Sequence, residues 1–162
     1  MLMLLFYIGE DRYALETKRV VEVLPMVKLK TLHHAPAYIP GLFNYRSRLV
    51  PVIDLCHLIR GSPCRSHLST RIVLVNYQVR REPSDRSWQI LGLMAERVTD
   101  TLNKPETEFV DPGIKLDAAP YLGEMITDEQ GMIQCVRVEY LLPESQQINL
   151  LPQQYREDNK KY

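Results

Sequence analysis

The sequence predicts a mainly β protein of the sandwich or barrel type, with helix confined to short turns. Three observations lead there. Short apolar runs alternate with clusters of Gly, Pro, Asp and Ser along most of the 162 residues, at the spacing of successive strands and turns. The chain opens on a continuous apolar run, residues 1–8, the pattern of a strand buried on both faces. A helical period shows in one place, where Leu55, Leu58 and Ile59 fall at i, i+3 and i+4 and so share one face.

The elements follow in order. After the opening strand, Gly9-Glu10-Asp11 forms a turn into a short strand at residues 13–15. Residues 20–24 make the next strand, closed by Pro25, and Glu22 is the one charge within it, so its side chain should leave the core. Residues 35–55 carry the most information. Pro36, Pro40 and Gly41 precede a short apolar strand, the turn Tyr45-Arg46-Ser47-Arg48, and a second strand over residues 49–53 that contains Pro51. Proline cannot donate to a central ladder, so this hairpin is expected at an exposed edge. Exposed edges are either covered or used for binding, and the segment reads as a docking surface. Asp54 then caps a single helical stretch that Gly61 ends and Pro63 stops. Residues 61–70 read as a connector. Residues 71–77 form a strong strand whose partner is residues 88–94, with the polar residues 80–85 between them as a long solvated loop. A further strand follows at residues 97–102, then a loop with Pro105, Pro112 and Gly113. Residues 121–127 and 132–138 form a closing hairpin turned at Asp128-Glu129-Gln130-Gly131. Residues 151–162 are expected to be a disordered tail.

Composition narrows the function classes. An apolar share of 45% and a charged share of 25% are those of an ordinary soluble globule, and the length suits one domain. Zero formal net charge argues against a partner held by a strong field, nucleic acid or membrane surface. The apolar N-terminus has no basic leader and no small-residue cleavage site. It is also too short to cross a bilayer as a helix, so a cytoplasmic protein is expected. The three cysteines, Cys56, Cys64 and Cys135, are irregularly spaced and expected to be reduced thiols.

An internal echo runs through the chain. Residues 49–59 (LVPVIDLCHLI) and 132–142 (MIQCVRVEYLL) share an apolar rhythm without gaps. Leu49 matches Met132, Val52 matches Cys135, Leu55 matches Val138, and Leu58-Ile59 match Leu141-Leu142. Each copy reads as a strand entering one helical turn, which hints at two similar β subdomains divided near residues 61–70.

With Val20-Val21-Glu22-Val23, then Pro36-Ala37-Tyr38-Ile39-Pro40-Gly41-Leu42-Phe43-Asn44-Tyr45-Arg46 and Pro51-Val52-Ile53-Asp54-Leu55, the chain resembles the CheW-like domain family. The second half is similar in residues 91–98 (LGLMAERV) and in Tyr121-Leu122-Gly123. The resemblance covers residues 3–143 within an expected domain of residues 1–150. It implies two small five-stranded SH3-like β-barrels sharing an apolar core. It also implies a non-catalytic adaptor that couples a chemoreceptor's cytoplasmic tip to the regulatory domain of a CheA-type histidine kinase, recruited from the cytoplasm to receptor arrays. A copy serving twitching motility or a cyclic-di-GMP surface-sensing pathway is the alternative within the family. The sequence departs from the family pattern at Ser47, where glycine is usual after the arginine. Serine there must adapt or carry strain.

The resemblance places Glu22 and Arg46 together on the face that meets the receptor. Ile39, Gly41, Leu42 and Phe43 are the candidates for the kinase, with glycine permitting close backbone approach. No catalytic residue, cofactor or metal is assigned. Among Cys56, His57, Cys64 and His67 only Cys64 and His67 have zinc-like spacing. Arg80, Arg81 and Arg86 beside Trp88 are similar to the basic and aromatic loops of nucleic-acid-binding barrels, but Glu82 and Asp85 interrupt them. A small β-barrel binding nucleic acid or metal is thus the distant alternative.

Overall fold

The computed structural model describes residues 1–82 and 85–143, with backbone alone at residues 79–82 and 85–87. Among them run nine strands and one α-helix: β1 (Leu2–Ile8), β2 (Asp11–Glu16), β3 (Val20–Pro25), β4 (Gly41–Tyr45), β5 (Arg48–Asp54), α1 (Leu55–Arg60), β6 (Arg71–Glu82), β7 (Asp85–Asn103), β8 (Leu122–Asp128) and β9 (Gly131–Val136). The mainly β class is as the turn spacing predicted. The limits of the expected domain and tail, residues 150 and 151–162, fall outside the described residues.

The strands sort into two groups of five that share β7. Its first part pairs with β6 over Arg71–Glu82 and runs parallel to β5 at Val52–Gly92, Ile53–Leu93 and Asp54–Met94. Beyond them lie β3 on β6 and β4 on β5. The second part of β7 pairs with β1, which continues to β2, β9 and β8. Residues 61–70 lie between α1 and β6, inside the first group. The groups meet along β7, where Arg97 takes a left-handed φ of 47° and the register against β1 shifts between Leu5 and Tyr7. Such an irregularity bends a strand and re-aims it.

Neither group closes into a barrel. The segment after β3 reaches β4 through the single Lys30–Leu42 bridge, and that after β7 reaches β8 through Val110–Met125. The echo between residues 49–59 and 132–142 has its counterpart here. Both β5 and β9 lie parallel to one neighbour and antiparallel to the other, and each runs into a helical turn, α1 or Val138–Tyr140.

Side-chain alternation builds three cores from strands that are apolar on both faces. On β1, Leu4, Phe6 and Ile8 enter the central core between the groups, whereas Met3 and Leu5 enter that of the second group with Ile126, Ile133 and Cys135. On β6, Val73, Val75 and Tyr77 face the centre, whereas Ile72 and Leu74 join Phe43, Val50 and Val52 in the first group. This is the two-faced burial that the unbroken run of residues 1–8 predicted.

Three expectations are corrected. The strand holding Pro51 is interior, because β5 is flanked by β4 and β7. Pro51 is tolerated because it precedes the first pair of the parallel ladder, Val52–Gly92, and the outer position passes to β4. Within the polar stretch 80–85, expected as a long loop, pairing of the described residues continues through Arg80–Arg86 to Glu82–Asp85. A backbone ladder needs no apolar side chains once it extends past the core. Residues 97–102 are no separate strand but the far half of β7.

Candidate docking site

The hairpin between β4 and β5 turns through Arg46 and Ser47, flanked by the paired Tyr45 and Arg48. Both turn residues are left-handed, with φ of 49° and 67°. This is the pattern of a type I′ turn, whose twist matches that of its strands. Left-handed backbone costs a residue with a Cβ about 1–2 kcal/mol. The side chain of Asn44 offsets part of that by accepting the Ser47 N–H at 3.0 Å. Ser47 thus holds a left-handed backbone that glycine would take at less cost.

The curl of the first group brings β3, its first strand, across to this turn. Glu22 lies in phase with the half-buried Val20 and Leu24, yet its carboxylate leaves the core sideways. It accepts a hydrogen bond from the Tyr45 hydroxyl and lies 3.8 Å from Nη2 of Arg46. The Arg46 guanidinium also sits 5.2 Å from the Tyr45 ring centre. The hydrogen bond to Glu22 holds the Tyr45 phenol above the ordinary tyrosine range. Arg46 remains 76% exposed and Glu22 39%, so their pair contributes only about 0.2–1 kcal/mol. Its effect is to aim a guanidinium fork outward, where carboxylates or carbonyls of a partner can take it.

The resemblance placed Glu22 and Arg46 near each other, as they lie here, but gave no part to Tyr45, the group that links them. Its adjacency to Arg46, one strand position before the turn, was the available signal.

The four residues expected along the β4 edge are placed differently. Ile39 is buried in the central core and Phe43 in the core of the first group. Gly41 lies against the backbone of Lys30, where a Cβ would stand 2.3 Å from the carbonyl oxygen. Leu42 is half-buried, and its N–H and C=O are both bonded to Lys30, at 2.9 and 2.8 Å. The edge is therefore covered at Leu42 by the chain's own segment; Ile39 and Phe43 face cores, and Gly41 makes the close backbone approach expected of it, against Lys30. On the outward face of the hairpin the accessible apolar residue is Leu49, paired with Asn44 and 62% exposed. An unbroken apolar run, LVPVI, hid its outward phase.

The helix after Asp54 forms as its sequence predicted. The Asp54 carboxylate accepts the His57 N–H at 3.0 Å, and Gly61 ends the helix in the left-handed region. Asp54 also accepts the Cys64 N–H, at 3.0 and 3.3 Å, and Glu96, 3% exposed, accepts that of Arg65 at 2.9 Å. Cys56 and Cys64 are bridged, with Cα atoms 5.1 Å apart. This corrects the expectation of three reduced thiols, for spacing along the chain cannot report that the connector folds back onto α1. Cys135 alone is free, and burial pushes its thiol up to about 12. Among the described residues the one group with metal-ligand proximity is Asp54, Cys56 and Cys64. His67 is not part of it, and the bridge takes both sulfurs.

Paired, open five-stranded β groups around a common core define the class of this protein. The chain matches the model of the CheW-like domain over residues 2–146 and belongs to that family of chemotaxis coupling and scaffold proteins. It is similar to a probable chemotaxis protein CheW of Rhizobium etli, 24% identical over 144 residues, covering 87% of this chain and 86% of that protein. It is also similar to the protein FrzA of Myxococcus xanthus, 25% identical over 114 residues, 70% of this chain and 66% of that one. Among solved structures, the scaffolding protein TtCheW of Thermoanaerobacter tengcongensis has the same fold, with a TM-score of 0.74, 22% identity, and coverage of 88% and 87% of the two chains. Among the described residues no helix is long and apolar enough to cross a membrane.

Proposed function

We propose that this protein is a non-catalytic adaptor of the cytoplasm, joining a chemoreceptor's cytoplasmic tip to the regulatory domain of a CheA-type histidine kinase at a receptor array. The observation that carries the reading is the Glu22–Tyr45–Arg46 constellation. An arginine on a two-residue turn is oriented by an aromatic ring and a carboxylate from a different strand, and its guanidinium stays largely exposed. We assign Glu22 and Arg46 to the receptor. The kinase contact belongs to the outward face of the same hairpin, with Leu42 and Leu49 as its apolar members.

Adaptors of this kind transmit a signal only if they bind the two states of a partner unequally. Moderate contacts suffice when repetition in an array multiplies them. Family membership supports the reading. The test is to mix the purified protein with the regulatory domain of the kinase encoded beside it and with a receptor tip fragment, and to follow complex formation by size-exclusion chromatography. A complex with each, and a ternary complex when all are present, is expected. Failure of both binary complexes would overturn the adaptor reading.

A further inference from the structure

We propose that Cys56 and Cys64 form a reversible thiol–disulfide site that exchanges with small-molecule disulfides and locks the connector of residues 61–70 onto α1. The inference stands apart from the adaptor reading and needs no partner.

The two sulfurs do not depend on their own bond for alignment. Successive backbone N–H groups of the connector, those of Cys64 and Arg65, are held by two buried carboxylates, Asp54 and Glu96. Glu96 also faces Arg60 of α1 at 3.6 Å, so the same carboxylate ties helix and connector. Further along, the Thr70 hydroxyl donates to the Arg65 carbonyl at 2.7 Å, and the Val98 N–H donates to the Ser69 carbonyl at 3.1 Å. With these ties the reduced chain keeps both thiols at bridging distance, and a held pair reacts as at high effective concentration. The same contacts weigh against a metal in this pocket. Both oxygens of Asp54, the carboxylate grouped with the two sulfurs, already accept N–H donors that a cation would have to displace.

Burial assigns the two sulfurs different parts. Cys56 is fully buried on α1, whereas Cys64 is half-buried in the connector. An external disulfide reaches Cys64 first. The Cys64 thiolate attacks one of its sulfurs, forming a mixed disulfide and releasing one small thiolate. The Cys56 thiolate then attacks Sγ of Cys64, forming the internal bridge and releasing the second small thiolate. The two protons lost by the cysteines balance the two small thiols formed, and the small disulfide is the oxidant consumed. Reduction by small thiols runs the same steps in reverse.

The consequence is local. Beyond Cys64 the connector exposes Arg65, Ser66, His67 and Leu68, and with the bridge closed this segment is fixed covalently as well as by hydrogen bonds.

The test begins with fully reduced protein treated with oxidised glutathione and read by mass spectrometry and thiol counting. The expected result is loss of two hydrogens per chain, no retained glutathione, and Cys135 still free. Closure should be at least about tenfold faster than any modification of Cys135, whose thiol is buried and held protonated. The Cys56→Ala variant should accumulate glutathione on Cys64, and Cys64→Ser should accumulate none on Cys56. Trypsin should cut after Arg65 several-fold more slowly in bridged than in reduced protein. A reduced wild-type chain that does not close overturns the proposal without recourse to any variant. So does tight binding of zinc by the reduced protein that blocks closure, which would make the pocket a metal site. Equal tryptic rates in the two redox states would overturn the lock.

Discussion

Replacing Arg46 by glutamate separates docking from folding at the hairpin. The residue is 76% exposed and its ionic partner Glu22 lies 3.8 Å away. Across that distance two unit charges in a water-like medium interact by about 1 kcal/mol, and measured exposed pairs contribute about 0.2–1 kcal/mol. Arg46→Glu removes this attraction and substitutes a repulsion of similar size. The total loss of stability should be about 1–2 kcal/mol, which leaves the fold intact if the protein has the usual 5–15 kcal/mol. Both side chains carry a Cβ, so the left-handed φ at this position adds nothing to the difference. Urea denaturation measures the first quantity, and capture by immobilised receptor tip measures the second. A lower midpoint with unchanged slope, together with receptor capture reduced by at least about tenfold, is the expected result. A folded variant that binds receptor as well as the wild type refutes the assignment of Arg46. A loss well above about 3 kcal/mol refutes the surface role derived from its exposure.

The remaining predictions concern the scaffold. Ser47→Gly relieves a left-handed serine and should stabilise the protein by about 0.5–1 kcal/mol in urea denaturation, the strain relieved exceeding the added freedom of the unfolded chain; a lower midpoint contradicts the turn geometry. Gly41→Ala places a Cβ 2.3 Å from the Lys30 carbonyl oxygen and should cost at least about 2 kcal/mol, so an unchanged denaturation midpoint would show that the Lys30–Leu42 contact gives way freely. Arg12 donates to both carboxylate oxygens of Asp128, at 2.6 and 2.7 Å, and these bonds hold the Asp128 carboxyl down to about 2. Because its folded value lies below the unfolded one, its stabilisation is present above about pH 4 and is lost as pH falls towards 2. That stabilisation is about 1 kcal/mol after allowance for solvent screening at the surface. In Asp128→Asn this acid-dependent component should disappear from the stability profile, and an unaltered profile refutes the pairing.

Local signals carried a large part of the fold. Residues 1–8 declared a strand buried on both faces because no polar residue interrupts them, and β1 does feed two cores. Asp54 and Gly61 fixed both ends of α1, since capping and left-handed termination are decided within one turn of chain. Glu22 and Arg46 were paired through family resemblance, and the structure brings them to 3.8 Å. Ile39 and Phe43 lie in cores, and an apolar residue beside a glycine looks the same in sequence whether it faces a core or a partner. Pro51 pointed to an edge, but the rule concerns a donor that is needed, and the neighbouring ladder begins one residue later.

The sequence by itself determined the strand and turn order, the helix caps, the repeated strand-to-turn unit and the family, all of which rest on contacts between residues close in the chain or on motifs read in order. Only the tertiary structure decided that β7 serves both five-stranded groups, that Tyr45 joins Glu22 to Arg46, and that Cys64 folds back onto Cys56. These depend on which distant segments the curl of each sheet and the burial of its apolar face bring together. No local spacing encodes that choice, because it is made by packing the whole chain at once.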